Sequence, residues 1–429
     1  MSEEIKSVIT CDLDGKLETF SEGAETLFGY SSDEVIGKGR VSDFSDGQVV
    51  LGHVVNWLKE AVEKGAWEGD TVFLHKDGHE FPCHIKITPT KDKDGNHIGY
   101  CGVTVQLKDK TADEVRPKIS LMTKVFTWLV IMRLPFLTAT IVPILVGAAV
   151  ADLYFGINNF AQSVSWGWLG LTILGGSLLH IGTNTANDYF DHTSGTDEGN
   201  YNYMVPYSGG SRSIQMGLIS AKGMLTVSLV AFALSAVVGV PLIQKVGSMN
   251  VLWLGLIGFI SGFFYTAPPF RFASRKGLGE LLIGLNFGPL MVAGSALVQT
   301  GKILPEALLA GIPIGLLVAA IVYVNEFPDH DGDKATGKDT LIVVFGPEKA
   351  RLGYVLLVAG AFASIVLMAL NGTLPMLSLI ALPAAYFGVK AIKTLYEYYN
   401  DRLLLPANAG TINMHLVTGL LFCIGIWVG

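Results

Sequence analysis

Two hydrophobic periods divide the chain. From Ser7 to Leu107 apolar and polar residues alternate in short runs, the period-2 pattern of half-buried strands. VITCDLDGKLETF predicts a hairpin turning at Asp14-Gly15. GAETLFGY has helical spacing, and SSDEVIG opens with a Ser and early acids, as a capped short helix does. VVNWLKEAVEKGA predicts a longer amphipathic helix with Trp57, Leu58, Ala61 and Val62 on one face. Three further strands, DTVFLHKDG, EFPCHIKITPTKD and IGYCGVTVQLKD, are separated by turns at Lys76-Asp77-Gly78 and Lys93-Asp94-Gly95-Asn96. Residues 109–124 form a polar linker expected to become helical. Beyond it the alternation stops. Nine apolar segments follow, centred on 135–155, 166–187, 222–242, 250–267, 278–298, 304–325, 350–370, 374–392 and 411–428, each near the ~20 residues that cross a bilayer. The expected architecture is an α+β domain with an antiparallel sheet and flanking helices, then an all-α polytopic bundle of nine transmembrane helices. The expected divisions are 1–110, a linker at 111–124, and 125–429.

Composition sharpens this division. Of the 67 charged side chains, residues 1–124 carry 37, 22 of them acidic, while residues 125–429 carry 15 acids and 15 bases. The front is acidic and soluble in character, and the rest has no net charge. That excludes a nucleic-acid binder relying on a basic surface. The four cysteines form no CxxC pair, so a zinc site or disulfide framework is not expected. With the N-terminal domain in the cytosol, the loops on that side carry 13 Lys or Arg, and the opposite side has only Lys245 and Lys302. This predicts a multi-pass protein of the plasma membrane whose N-terminal domain faces the cytosol.

The acids follow the same side. Just beyond the second and sixth spans lie NTANDYFDHTSGTD and NEFPDHDGDKATGKDT. His180, Asn184, Asp188 and Asp191 share one helical face, and Asn325 and Asp329 repeat the i, i+4 spacing. A polar row on a membrane helix must look into the bundle. Paired carboxylates facing each other repel unless cations sit between them, and oxygen ligands of this kind suit Mg²⁺ completed by substrate phosphate. The plainer alternative is that these are solvated loop charges. A third loop, YTAPPFRFASRKGLGE, brings Tyr265, Arg271, Arg275 and Lys276. With Arg212, Lys222, Lys334 and Lys338 these can neutralise a diphosphate. For Lys222, Arg275 and Lys276 a topology-setting charge is an equal reading. Arg212 in YSGGSRSIQMGLIS and Arg271 are more specific, Glu280 can oppose a helix dipole, and Asn286 is a weaker cavity candidate.

The first 110 residues, with SEGAETLFGYSSDEVIGK, the HKDGHEF hairpin and GVTVQLKDKT, resemble a PAS sensor domain. Flavin photochemistry is not expected, because GKGRVSDFS lacks the reactive Cys. For haem, His53 is the nearest axial candidate, with a surface histidine the plainer reading, so the PAS ligand stays unknown. The resemblance leaves a PAS-mediated dimer open.

NDYFDHTSGTD, YTAPPFRFASRKGLGELLIGLNFGP, NEFPDHDGDKATGKDTL and LLPANAGTINMHLVTGLL together resemble the UbiA superfamily of intramembrane prenyltransferases over residues 125–429. Asn187, Asp188 and Asp191 match its NDxxDxxxD motif. Gly195 stands where the third Asp is expected, with an acid at Asp197 instead. Asn325, Asp329 and Asp333 match the second motif, while Glu326 and Phe327-Pro328 depart from common sequences. The spacing is similar to the branch that prenylates 1,4-dihydroxy-2-naphthoate for menaquinone. The resemblance implies Mg²⁺ held by Asp188, Asp191, Asp197, Asp329 and Asp333. It further implies diphosphate binding by Asn184, Asn187, Arg212, Asn325, Lys334 and Arg275, with Arg271 and Tyr265 assisting the chemistry. Its substrates would be a polyprenyl diphosphate and an aromatic acceptor, with the site facing the cytosol. Other acceptors remain open: another quinone precursor, haem or a glycerol-lipid alcohol. So does a PAS-gated transporter or receptor, although pathway acids normally sit near the midplane rather than at one face.

Overall fold

In a computed structural model, residues 5–156, 164–204 and 206–429 are described. The chain divides into two compact units. One comprises Met1–Ile131 together with Arg212–Ser220, the other Met132–Ser211 with Ala221–Gly429.

The first unit is built on five antiparallel strands: β1 Lys6–Asp12, β2 Leu17–Phe20, β3 Trp67–Leu74, β4 Glu80–Lys91 and β5 His97–Gln106. Their order is β2-β1-β5-β4-β3, so the N-terminal hairpin joins the three-stranded meander through β1 and β5, with Val8 opposite Val103. The predicted hairpins and turns form. Helix α1, Glu22–Phe28, starts on the Ser21 hydroxyl, which accepts from the Ala24 N–H, and stops at Gly29 in the left-handed region. Ser32–Val35 is capped by the Glu34 carboxylate on the Ser31 N–H at 2.9 Å.

Helix α2, Val55–Lys64, presents Trp57, Leu58 and Ala61 to the core; Val62, predicted on the same face, is 46% exposed. The space between sheet and helices is filled by rings: Phe28 lies 4.7 Å from Phe44 and 5.5 Å from both Phe73 and Phe81. His53 is engaged elsewhere, its Nε2 3.1 Å from the Lys118 carbonyl. Burial pushes the Cys11 thiol up to about 12, and Cys83 upward too, so neither is a thiolate at neutral pH. The linker region contains the short helix Ala112–Val115 and then α3, Leu121–Ile131.

The second unit is helical. Its elements are α4 Thr138–Phe155, α5 Trp166–Thr193, α6 Ala221–Val246, α7 Asn250–Phe263, α8 Leu278–Leu285, α9 Met291–Thr300, α10 Pro305–Ala335, α11 Pro347–Leu370, α12 Ala385–Tyr398 and α13 Leu405–Val428. Nine spans were expected. Among the described residues, seven helical stretches are long and apolar enough to cross a membrane. The other two differ for separate reasons. Helix α7 has 14 residues, about 21 Å of rise against a ~30 Å hydrocarbon core. Helix α5 has 28 residues, but its C-terminal half carries Thr183, Asn184, Thr185, Asn187, Asp188 and Asp191.

Helix α10 is the axis of this unit and contributes to both large apolar clusters, one around Ile314, Ile365 and Phe422 and one around Tyr323, Tyr354 and Met414. Its backbone touches that of the α8–α9 segment, where Asn286–Leu290 winds more widely and Gly288 leaves helical angles. A Cβ on Gly315 would lie 2.2 Å from the Gly284 carbonyl oxygen, and one on Gly311 would lie 2.4 Å from the Pro289 Cα. Lipid supplies no hydrophobic drive between helices, so close backbone approach has to hold them together. Gly315→Val is therefore expected to destabilise the protein by about 1–3 kcal/mol or more. The check is a lower melting temperature in detergent, with Gly301→Val, where a side chain meets open space but the backbone is left-handed, as a non-packing comparison.

Candidate functional site

The two acidic motifs end helices α5 and α10, and the structure brings them to one cavity of about 390 Å³. Its polar end is lined by Asn184, Asn187, Asp191, Asp197, Asn325, Glu326, Asp329 and Asp333, with Arg133 and Lys338 as cations. Its other end is walled by Leu242, Val251, Leu254, Leu290, Met291 and Val298, interspersed with glycines such as Gly255, Gly258 and Gly294. A charged headgroup and an apolar tail thus find matching ends of one space.

Lysine 338 joins the motifs. Its ammonium lies 3.8 Å from Asp191 and 3.4 Å from Asp333. Burial opposes its charge, but those carboxylates outweigh burial and carry its pKa above the ordinary lysine value. Arg133, in left-handed backbone just before α4, lies 3.7 Å from Asp188.

The segment after α5 closes over the acids with backbone and amide donors. The Ser211 N–H donates to Asp188 Oδ1 at 3.2 Å, the Gly209 N–H to Asp329 Oδ2 at 3.1 Å, and the Asn200 amide to Asp329 Oδ1 at 2.5 Å. Gly210 is left-handed, and a Cβ there would come within 2.8 Å of Asp188 Oδ1 and 3.6 Å of the Asp197 oxygens. The glycines in YSGGS therefore let the chain run against the first motif. That same contact places Asp197 beside Asp188.

The YTAPPFRFASRKG loop meets the second motif through its backbone: the Lys276 N–H donates to the Asp339 carbonyl at 2.8 Å. Tyr265 lines the cavity, and burial pushes its phenol well up. Arg271 acts electrostatically on Asp191. Arg275 instead donates to the Phe270 carbonyl at 2.9 Å and is exposed, as is Lys334. Asp331 pairs with His330 at the surface. Arg212 belongs to the other compact unit, where its charge acts on Asp43. Glu280 does not merely face a helix end: its carboxylate accepts from the Leu341 N–H at 3.0 Å and contacts Glu326. Asn286 lines the cavity while its amide donates to the Leu282 carbonyl.

Several participants had no clear sequence signal. Arg133 reads as a topology charge. Asn200, Gly209 and Ser211 act through segment geometry. Asn408 of α13, fully buried, donates to Asn325 Oδ1 at 2.8 Å and holds that side chain from a third helix. His180 lines the cavity with its Nδ1 2.7 Å from the Thr140 hydroxyl and its ring 4.9 Å from that of Phe287.

The donor set fits divalent cations. Among the described residues, five carboxylates line the cavity against two cations, and the buried Asp188 Oδ2 and Asp333 Oδ2 have no hydrogen-bond partner. A buried carboxylate oxygen without a partner is costly unless a cation takes it. Oxygen ligands in this number, beside an open cavity, suit Mg²⁺.

Comparisons agree with this geometry. A profile described as the UbiA prenyltransferase family matches residues 140–405, and a PAS domain profile matches residues 6–112. The chain is 28% identical over 308 residues to a 1,4-dihydroxy-2-naphthoate octaprenyltransferase of Escherichia coli, covering 70% of this chain and 95% of that one. It is 27% identical to the Bacillus subtilis protein of the same name, over 68% and 89%, and 26% identical to a 2-carboxy-1,4-naphthoquinone phytyltransferase of Synechocystis, over 70% and 94%. Among solved structures, a UbiA homolog from Archaeoglobus fulgidus bound to GPP and Mg²⁺ superposes with a TM-score of 0.52 at 20% identity, covering 70% of this chain and 99% of that one. That likeness concerns the fold.

Proposed function

The chain belongs to the UbiA prenyltransferase family and carries an N-terminal PAS domain, and from that premise we propose that it transfers a polyprenyl group from an allylic diphosphate to 1,4-dihydroxy-2-naphthoate. The acceptor assignment is supported by the E. coli and B. subtilis relatives, which bear that substrate in their names over most of their length. The observation that carries the site assignment is a pair of buried carboxylate oxygens without a hydrogen-bond partner among the described residues, Asp333 Oδ2 in the cavity lining and Asp188 Oδ2 one helical turn from the lining residue Asp191.

Asp188, Asp191, Asp329 and Asp333 would hold Mg²⁺, with Asp197 beside them. Bound there, Mg²⁺ supplies Lewis-acid neutralisation of the diphosphate. The chain does the rest. Lys338 and Arg133 stabilise the charge that grows on the leaving oxygens as the allylic C–O bond breaks and its electron pair leaves with diphosphate. The apolar walls receive the tail and exclude water from the cation that remains. The ring of Tyr265 can face that cation. The ring carbon bearing the acceptor's carboxylate then forms the new C–C bond, and loss of CO₂ returns the electron pair to the ring.

The site faces the cytosol in this reading, which rests on the 13-to-2 distribution of Lys and Arg. The test is mass spectrometry of products after offering purified protein several prenyl diphosphates and aromatic acceptors with Mg²⁺. Prenylated, decarboxylated naphthoquinol supports the proposal. Product only on another acceptor class removes the naphthoate assignment.

The PAS domain has a covalent route to this site. Residues Arg212–Ser220 lie in its compact unit, where a Cβ on Gly47 would come within 2.3 Å of the Met216 carbonyl oxygen. The chain enters that segment directly from Ser211, whose N–H holds Asp188. A change of state in the domain that shifts residues 212–220 would therefore pull on the donors over the acids. Gly47→Val, which forces that shift, is expected to lower kcat roughly tenfold, the effect of about 1.4 kcal/mol of coupling. Unchanged steady-state kinetics would make the domain a tether.

A further inference from the structure

The β3–β4 hairpin of the N-terminal unit carries a group of ligand atoms unrelated to prenyl transfer. His75, Asp77 and His79 occupy the turn in HKDGHEF, and one ligand atom from each, an imidazole nitrogen of either His and a carboxylate oxygen, lies within 4.8 Å of the other two. Asp77 Oδ1 is 3.0 Å from His75 Nδ1 and 2.5 Å from His79 Nδ1. The imidazoles stack at 4.5 Å, because the His75 N–H donates to the His79 carbonyl across the hairpin and sets both side chains on one face.

The arrangement is braced on every side. The His79 N–H donates to Asp77 Oδ1 at 3.1 Å, which turns the carboxylate back over the turn. That bond, with the two imidazoles, holds the Asp77 carboxyl down at about 2, so it is an anion at any physiological pH. The Nε2 edge of His75 lies against Gly29, where a Cβ would come within 2.3 Å, and this leaves Nδ1 facing Asp77. The one cation in the turn, Lys76, is drawn away to Glu34 at 2.6 Å, and its N–H ties the hairpin to the Phe28 carbonyl.

We propose that His75, Asp77 and His79 form a binding site for a divalent transition-metal ion of the Zn²⁺, Cu²⁺ or Ni²⁺ class, open to solvent at its remaining coordination positions. Two imidazole nitrogens and one carboxylate suit these ions and not Mg²⁺, so the hairpin and the acid cavity select different metals. Ligand bonds of about 2.0–2.2 Å put neighbouring donors about 3.0–3.5 Å apart, so Asp77 Oδ1, 2.5 Å from His79 Nδ1 and 3.0 Å from His75 Nδ1, has to move outward by about 0.5–1 Å, a shift that an exposed side chain can make. His75 Nδ1 gives up a long, 3.3 Å contact from the Asp77 N–H to do so.

The test uses the full-length protein in detergent without a polyhistidine tag, with excess Mg²⁺ to fill the acid cavity and one equivalent of Cu²⁺ as probe. Electron paramagnetic resonance should show a single Cu²⁺ species coupled to two imidazole nitrogens. His79→Gln and Asp77→Asn should each weaken it at least about tenfold, while His84→Gln, which alters a different His–Asp pair, should leave it unchanged. Independently of any variant, Zn²⁺ should protect His75 and His79 of the unaltered protein from diethyl pyrocarbonate, read by peptide mass spectrometry. Equal Cu²⁺ affinity in both variants, coupling to fewer than two nitrogens, or unprotected His75 and His79 would each overturn the site.

Discussion

Asp188→Asn and Asp329→Asn should each cut product formation by about 10²- to 10³-fold, the scale on which removing one preorganised charge-stabilising group is felt. The two should differ in what else they disturb. Asp188 uses Oδ1 to accept the Ser211 N–H, while its buried Oδ2 has no hydrogen-bond partner among the described residues. An asparagine keeps the accepting oxygen and loses only the charge, so loop and fold survive and the defect lies in metal and diphosphate binding. Asp329 uses both oxygens, one for the Asn200 amide and one for the Gly209 N–H. An asparagine there must aim an NH₂ group at one of these donors, which breaks a contact as well as removing charge. Asp329→Asn should therefore also raise amide hydrogen exchange across residues 206–211, which Asp188→Asn should not. Wild-type rates in both variants with saturating Mg²⁺ would remove the metal-bridge reading, and full turnover in excess chelator would do the same.

That distinction marks where the sequence stops being informative. Periodicity placed His180, Asn184, Asp188 and Asp191 on one face of α5 because a helix carries its own geometry, and all but Asp188 line the cavity; three of the chain's hairpins were legible in their Asp-Gly turns. The family motifs located both carboxylate sets. The partners of those carboxylates are another matter. Ser211 and Gly209 act through N–H groups that every residue but proline has, so no side chain advertises them. Asn408 reaches Asn325 from 83 residues away. Arg133 counts as one more inside positive charge until the fold shows Asp188 at 3.7 Å. Of the nine expected spans, seven are long and apolar enough among the described residues; hydropathy windows see apolar length, and α7 stops at Phe263 because the chain turns there into the site loop. Arg212 was expected among the diphosphate ligands on sign and local motif; it directly follows Ser211, whose N–H donates to Asp188, at the point where the chain passes into the N-terminal compact unit.

Lys338→Met should separate two quantities that usually fall together. In the ligand-free cavity the Lys338 ammonium neutralises Asp191 and Asp333, the pair that Mg²⁺ must also use. Two unit charges about 4 Å apart interact by roughly 4 kcal/mol at an effective dielectric near 20, and removing the lysine removes a competitor of that order for the same oxygens. Divalent-ion affinity should therefore rise, by about tenfold once solvent screening is allowed for. Turnover should move the other way. In the proposed mechanism, with a metal and diphosphate in place, Lys338 would donate to the leaving group, and its loss is expected to lower kcat/KM about 10²-fold. Lys338→Arg, which keeps the charge, should recover part of the rate and none of the added metal affinity. Mn²⁺ binding followed by electron paramagnetic resonance, alongside steady-state rates, reads both quantities in one preparation. A purely structural lysine would behave differently: its loss would weaken metal binding and catalysis together, because the two motifs would drift apart, and that result would remove Lys338 from the chemistry.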